Sequence, residues 1–507
     1  MRALRTTAAL LLAGCAGATT TPHAPAPRVP APSDSAAAPR DERAELRAFV
    51  DSVAGAPEFR SAQWGILVVD PASGDTLASR NADKLFVPAS NMKLVTSAVG
   101  LVQLGPGFRW STALFARGPV RDGVLDGDLV VRGEGDPSIS THLRGDALAP
   151  LRDLADSLRA HGVMRVRGRV VAARSPFIDP PLGYGWEWED LDEPYGAGVD
   201  ALYFNEGFTD VVVYAGARAG APPRAATRPA SSYPLVAVRA TTVARVADPA
   251  DSTAGRTRLT VAWDSTRSRV LVGGTIAIGD STVLQLAFRD QTAAFLAAFG
   301  EALAARGVRV DGARRDSMAR SDSIVALASP TLAEVLPYLA KPSQNQIAEL
   351  VFKTVGRHGT GVGSADSAAA VVSRQLVAWG AQPDGFAVHD GSGLSRHDFV
   401  SPRTVITVLD AMRRHPAFRT FYDALPVAGV DGTLEKRMRG TPAQGNVHAK
   451  TGYVDKARSL SGYVTTADGR LLLFSALCNN YVVPTRAVER VQDALAARLA
   501  SLRLPRA

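Results

Sequence analysis

Pro88-Ala89-Ser90-Asn91-Met92-Lys93 places a serine three positions ahead of a lysine where an apolar pattern begins. From Met92 onward Leu94, Val95, Ala98, Val99, Leu101 and Val102 recur at helical spacing until Gly105-Pro106 stops them. At i and i+3 on a helix, the ends of the Ser90 and Lys93 side chains can meet. A hydroxyl is a poor nucleophile until its proton is taken, and a neighbouring amine is a base that can take it. A surface helix cap would leave the same residues, so the weight of the pair depends on what the rest of the chain brings to it.

Outward from this stretch, the N-terminal side carries a helical pattern (Leu46, Phe49, Val50, Val53). It is followed by a strand at Gly65-Ile66-Leu67-Val68-Val69-Asp70, a turn at Pro71 to Gly74, and a second strand from Thr76 to Ser79. On the C-terminal side come short strands, including Leu129 to Arg132, and the turn Gly133-Glu134-Gly135-Asp136-Pro137. Leu151, Leu154, Ala155 and Leu158 predict a helix ending at Gly162, and Val163 to Val171 predict a strand. An aromatic-rich segment holds Trp186, Trp188, Tyr195 and Tyr203, and strand-like sequence runs from Phe208 to Leu286 with a polar interruption at Arg218 to Ser232. No period of 20 to 50 residues indicates a solenoid. Helical patterns return at Phe295 to Leu303 and at Pro330 to Leu336, and a last one carries Val488, Val491, Leu495 and Leu499.

Two further polar clusters stand far along the chain. Ser343-x-Asn345 lies immediately ahead of an apolar helix, and Lys450-Thr451-Gly452 lies in a strand-like context. Ser90-x-x-Lys93, Ser343-x-Asn345 and Lys450-Thr451-Gly452, in that order, resemble the three motifs of penicillin-binding proteins and serine β-lactamases. With 249 residues between Lys93 and Ser343 (343 − 93 − 1), the spacing exceeds a compact lactamase plan. Together with Gly133 to Pro137, Asp390-Gly391-Ser392-Gly393-Leu394-Ser395 and Leu425 to Leu434, it resembles the D-alanyl-D-alanine carboxypeptidase/endopeptidase family S13, the class C penicillin-binding proteins.

The resemblance implies an α/β (α+β) transpeptidase-like catalytic domain from residues 44–112 and 326–507. It implies two mainly β insertions, one from 113–207 and 285–325 and a second nested within it at 208–284. The implied activity is serine-type cleavage of D-alanyl bonds in peptidoglycan stem peptides or their cross-bridges through a Ser90 acyl-enzyme, blocked by β-lactams and needing no cofactor or metal. Two alternatives stand beside it: a serine β-lactamase, against which the long insertion and the want of a dedicated deacylating Glu speak, and a catalytically silent peptidoglycan-binding lipoprotein.

The chemistry sets its own requirements. Lys93 is a base only when neutral, and lowering its pKa from about 10.4 to about 7 corresponds to roughly 4.6 kcal/mol. Desolvation with a like charge nearby supplies such a shift, and Lys450 is the expected neighbour. Ser343 fits a proton relay between Lys93, Lys450 and the leaving amine, while Asn345 can present its amide to the substrate backbone or to Lys93. Thr451 offers a hydroxyl to the terminal carboxylate, and Gly452 lets substrate approach the strand. The family resemblance assigns the oxyanion hole to the backbone N–H groups of Ser90 and Tyr453. Tyr453 stands where many relatives carry a second Thr or Ser, so either Arg458 or the Tyr453 hydroxyl is the expected substitute in substrate binding, or carboxypeptidase activity is weak relative to endopeptidase activity.

Composition limits the partners. A hydrophobic fraction of 46% supports large cores, and the net charge of +8 comes from Arg spread along the chain without a basic run, which argues against nucleic acid. Arg2 and Arg5 precede the short apolar run Ala8 to Gly14, too short to span a bilayer but suited to a secretory signal. Leu12-Ala13-Gly14-Cys15 resembles a lipoprotein lipobox, implying residues 1–15 as signal with lipidation at Cys15 and an extracytoplasmic, membrane-anchored location. Ala16 is not an inner-membrane retention Asp, which favours the outer membrane if there is one. Residues 16–43, rich in Pro, Ala and Ser, read as a disordered tether. Cys478 reads as a buried structural thiol and His389, His397 and His448 as structural or surface groups. Glu134 and Asp136 read as turn-fixing residues, and Gly391-Ser392-Gly393 as loop geometry near the site.

Overall fold

The computed structural model describes residues 41–245, 255–264, 269–313 and 321–504. The expected signal, Cys15 and nearly all of the tether lie outside the described residues. The first helix, Glu42–Ala54, takes in Glu42 and Arg43, two residues that the sequence reading assigned to the tether; Glu42 and Glu45 stand in its first turn, where acidic side chains complement the helix dipole.

A five-stranded sheet organises the part of the chain that carries the three motifs, in the order Asp75–Arg80, Gln63–Asp70, Leu471–Asn479, Ala457–Thr465, His448–Val454. All of its pairings are antiparallel. The first hairpin of the chain therefore pairs with its last strand, with Trp64 opposite Cys478 and Leu67 opposite Ser475. Period-two alternation sends Ile66 and Val68 into one core and Leu67 into another. On the first side they meet Leu46 and Val50 of the N-terminal helix and Val488, Leu495 and Leu499 of the C-terminal helix Thr485–Ser501. On the other side the sheet packs against the helices Met92–Leu104, Asn345–Thr360 and Pro402–Arg413, through residues such as Val95, Val99, Val351 and Leu409. Burial on both faces explains why Leu471 to Cys478 is almost continuously apolar.

The long segment between the first and second motifs builds separate sheets. One joins Ser321–Ala328, Ser111–Arg117, Asp128–Gly133 and Val170–Ala172, and its core is closed by the helices Ala149–Ala160 and Gln291–Ala305. The described strands between Phe208 and Ala287 form a three-stranded and a four-stranded sheet around Val211, Val213, Val272 and Ile276. The mixed helix and sheet class matches the sequence reading. The single strand expected from Val163 to Val171 does not form: Arg165–Val166 pairs with Val124–Leu125, whereas Val170–Ala172 lies beside Asp128–Gly133 in a different sheet. The break falls at Gly168, where a Cβ would lie 2.4 Å from both the Gly127 carbonyl and an Asp128 carboxylate oxygen.

Candidate active site

Ser90 sits in a one-turn 3-10 helix, Ala89–Asn91, that runs directly into Met92–Leu104. Ala89 is held at φ 47°, a left-handed conformation costly for a residue with a Cβ, so the surroundings must enforce it. They do so through the sheet. The Asn91 amide donates to the Lys450 carbonyl at 2.8 Å, the Ser459 hydroxyl donates to the Pro88 carbonyl at 2.7 Å, and the Val87 N–H donates to Asn479 at 2.8 Å. A Cβ on Gly452 would fall 2.1 Å from Ser459 Oγ, 2.6 Å from the Pro88 carbonyl and 3.0 Å from Ser90 N. Glycine at 452 is thus required by the close seating of the Ser90 turn on the strand, a constraint within the fold that stands beside the substrate clearance expected from the sequence.

The three motifs converge. Lys93 Nζ donates to Ser90 Oγ at 2.8 Å, to Asn345 Oδ1 at 2.6 Å and to the Ser392 carbonyl at 2.8 Å. Lys450 Nζ donates to Ser343 Oγ at 2.8 Å and to the Thr451 carbonyl at 2.9 Å. Ser343, at φ 67°, forms the strained turn between the helices Leu332–Ala340 and Asn345–Thr360, and Gln344 caps the second of these through the Ile347 N–H. Of the two partners open to Asn345, its carbonyl oxygen takes Lys93, while its amide nitrogen is spent on the Tyr195 carbonyl at 2.8 Å.

Both lysines are buried, and burial dominates their proton affinity. It brings Lys93 down to about 7 against the opposing pull of Asp390 and Glu349. Lys450 is pushed well below the ordinary lysine range, first by burial and then by the charges of Lys93 and Arg458. Desolvation is thus the main cause of the lowered Lys93 pKa, and Lys450 adds a like charge beside it, each buried ammonium disfavouring the charging of the other.

A cavity of about 670 Å³ opens over these groups, lined by Ser90, Ser343, Asn345, Thr451 and Tyr453 among others. Its lining also includes Glu187, Glu189, Asp190, Arg396 and Arg458, with Arg396 ion-paired to Glu187 at 3.0 Å. Arg458 lies opposite Tyr453 across the hairpin, with its guanidinium carbon 5.1 Å from the ring centre, and it is ion-paired to Glu489. Tyr453 is half exposed.

Thr433 was not singled out in the sequence. Its hydroxyl accepts from Thr451 Oγ1 at 2.7 Å inside the cavity. It is placed there by its own N–H, which donates to the Lys341 carbonyl at 2.9 Å, and by the Lys341–Asp431 ion pair at 2.6 Å. Glu349 and Asp390 were also missed as site residues. The available signals were an acidic residue in an apolar helix one turn beyond Asn345 and an aspartate heading a Gly-Ser-Gly loop. Other residues take the structural parts expected of them. Asp136 accepts from the Ser138 N–H, Cys478 is buried with its thiol pushed up to about 12, and His448 stacks on Tyr422. Among the described residues no group of His, Cys, Asp and Glu is arranged to hold a metal, and no helix is long and apolar enough to cross a membrane.

Against known proteins, residues 46–502 match the model of the D-Ala-D-Ala carboxypeptidase 3 (S13) family. The chain is 34% identical over 474 residues to a D-alanyl-D-alanine carboxypeptidase of Actinomadura sp. (strain R39), covering 90% of this chain and 84% of that protein. It is 27% identical to the D-alanyl-D-alanine carboxypeptidase DacB of Haemophilus influenzae, over 82% of this chain and 85% of the relative. The crystal structure of penicillin binding protein 4 (dacB) from Haemophilus influenzae superposes with a TM-score of 0.74 at 23% identity, over 91% of this chain and 99% of that one, a likeness of fold.

Proposed function

The chain belongs to the D-Ala-D-Ala carboxypeptidase 3 (S13) family of peptidases, and from that premise we propose that it cuts D-alanyl bonds of peptidoglycan stem peptides or their cross-bridges through an acyl-enzyme on Ser90. The observation that carries this reading is the pairing of two buried lysines with two motif serines, Lys93 with Ser90 and Lys450 with Ser343, each at 2.8 Å.

In this reading neutral Lys93 accepts the Ser90 proton as Oγ attacks the carbonyl carbon of the scissile D-alanyl bond. The backbone N–H groups of Ser90 and Tyr453 receive the oxyanion, an interaction worth roughly 3 kcal/mol per donor. Ser343 passes a proton from the lysine pair to the departing amine, the C–N bond breaks, and an ester on Ser90 remains. Water attacks that ester with Lys93 again as base, releasing the shortened peptide and restoring the serine.

The substrate carboxylate lies against the Thr451 and Thr433 hydroxyls beside Lys450, whose proton is stabilised as the anion arrives. Thr433 thereby supplies a short aliphatic hydroxyl of the kind many relatives carry at the position of Tyr453, and Arg458, already paired with Glu489, adds positive field from the wall. A β-lactam would enter the same cavity and acylate Ser90; the relative's fold in Haemophilus influenzae penicillin binding protein 4 has a crystal structure with a β-lactam bound. A peptidoglycan substrate accords with the expected export and lipid anchoring at Cys15.

Mass spectrometry of purified muropeptides before and after treatment, with Ser90→Ala as control, tests the reading. Loss of a terminal D-Ala or of cross-linked dimers supports it and tells the two activities apart; unchanged muropeptides reject it.

A further inference from the structure

Behind Lys93 lies a second layer of polar groups that the proposed chemistry does not use. Glu349, on the helix Asn345–Thr360, and Asp390, at the head of the loop 390–395, are both buried. Neither touches Ser90 or Lys93 through a hydrogen bond. They bind the loop backbone instead. Glu349 accepts from the N–H groups of Gly391 at 3.1 Å and Ser392 at 2.8 Å. Asp390 accepts from Ser392 at 3.1 Å, Gly393 at 2.6 Å and Ser395 at 2.7 Å, and from the Trp186 indole at 2.9 Å.

A trans peptide unit is planar, with its N–H and C=O pointing in opposite directions. In the unit joining Gly391 to Ser392, the N–H is taken by the carboxylates and the carbonyl accepts from Thr96 Oγ1 at 2.6 Å. In the next unit the Gly393 N–H is taken by Asp390 and the Ser392 carbonyl accepts from Lys93 Nζ at 2.8 Å. Two consecutive peptide planes thus bridge the carboxylates to two side chains of the Ser90 helix. The loop has no room to slip: a Cβ on Gly391 would meet Phe352 Cβ at 2.5 Å, and one on Gly393 would meet the Ala89 carbonyl oxygen at 1.8 Å.

We propose that Glu349 and Asp390 are positioning residues for Lys93: Asp390 fixes the peptide plane whose Ser392 carbonyl accepts from the amine, Glu349 fixes the plane before it, and together they aim the amine at the Ser90 hydroxyl. The inference rests on the Ser90 acyl-enzyme reading. It gives the Asp390-Gly391-Ser392-Gly393 segment a function in the reaction. Glu349 and Asp390 line a separate cavity of about 320 Å³ that shares no lining residue with the substrate cavity; Asp390 also holds the N–H of Gly393, which lines the substrate cavity, so Glu349 is the position whose substitution leaves the substrate-facing groups alone.

The titratable groups around Lys93 are Asp390, Glu349, whose pKa burial and the Asp390 charge raise to about 8, and Lys450 with Arg458 near it, so near pH 7 the standing negative charge is that of Asp390. Asp398 stands behind Asp390, and Lys353 stands near Glu349. The carboxylates raise the pKa of Lys93 against burial, so removing the Asp390 charge lowers it, and acylation persists to lower pH.

The test is the rate of benzylpenicillin acylation of the full chain across pH, for the parent, Glu349→Gln, Glu349→Ala and Asp390→Asn, with thermal melts as the folding control. Glu349→Ala is expected to slow acylation by about 10- to 100-fold through misplacement of the amine, with initial binding changed by less than about threefold. Gln, which keeps one acceptor oxygen for Ser392, falls between parent and Ala. Asp390→Asn is expected to move the acid limb of the profile down by about half a pH unit or more. Folded variants with the parent's rate and the parent's midpoint overturn the proposal, and if Glu349→Ala does not fold, the two near-isosteric variants decide it alone. A parent that takes no adduct on Ser90 would instead reject the functional reading beneath it.

Discussion

The central sheet and the module at residues 208–287 are both built mainly of β-strands, yet they use their side chains differently. The central sheet is covered on both faces, and its strand Leu471–Asn479 is buried along nearly all its length. In the module the strand Arg258–Trp263 alternates exposed and half-buried residues, and the described core is limited to a few side chains such as Val211 and Val272. The strained non-glycine residues of the motifs, Ala89 and Ser343, and the buried lysines all belong to the region around the central sheet. Strain and buried charge persist only where dense packing and hydrogen bonds hold them, so the region able to carry the chemistry is the one with both faces covered.

That contrast predicts graded effects. Ser90→Ala removes the nucleophile and is expected to lower D-Ala release by about 10⁴-fold or more without changing the fold, as read by turnover and circular dichroism. Gly452→Ala forces the Ser90 turn off its strand, and an activity loss of about 10²-fold is expected from the displaced hydroxyl; unaltered turnover would show that the turn tolerates movement. The pH dependence follows from Lys93, which is brought to about 7 by burial: protonation removes the base, so the acylation rate falls as pH drops through about 7 and levels off above it. A flat profile between pH 5.5 and 8 would dissociate the lysine from the proton transfer. Thr433→Val deletes one hydroxyl at the carboxylate end and is expected to cost about 1 kcal/mol, close to a fivefold loss in kcat/KM. At the far end of the scale, Val272→Ala opens space in the module core and is expected to reduce stability by about 2 kcal/mol while turnover stays within about twofold. A large loss of activity there would erase the contrast between the two regions.

The legible part of the site was the part written in local pattern. Ser90 and Lys93 share a helix turn, Ser343 and Asn345 open a helix, and Lys450 to Gly452 lie on one strand, so residue type and spacing announced each motif. The groups that hold the motifs in place were not legible, because their partners lie far off in sequence. Thr433 matters through Thr451, Glu349 through backbone N–H groups of a loop some forty residues later, and Asp390 through peptide planes that no side-chain pattern records. Gly452 was visible as a glycine, but its reason lay in Pro88 and Ser459. The segment Val163 to Val171 was legible as strand-forming, yet periodicity does not report which sheet a strand joins, and its two halves join different ones.

The central claim is that Ser90, activated by Lys93, forms a covalent acyl-enzyme. Intact-protein and peptide mass spectrometry after incubation with benzylpenicillin tests it most directly. The predicted result is a single adduct on the peptide containing Ser90, slow to decay, absent in Ser90→Ala and strongly reduced in Lys93→Ala. No adduct, or an adduct on another residue that survives Ser90→Ala, would contradict it.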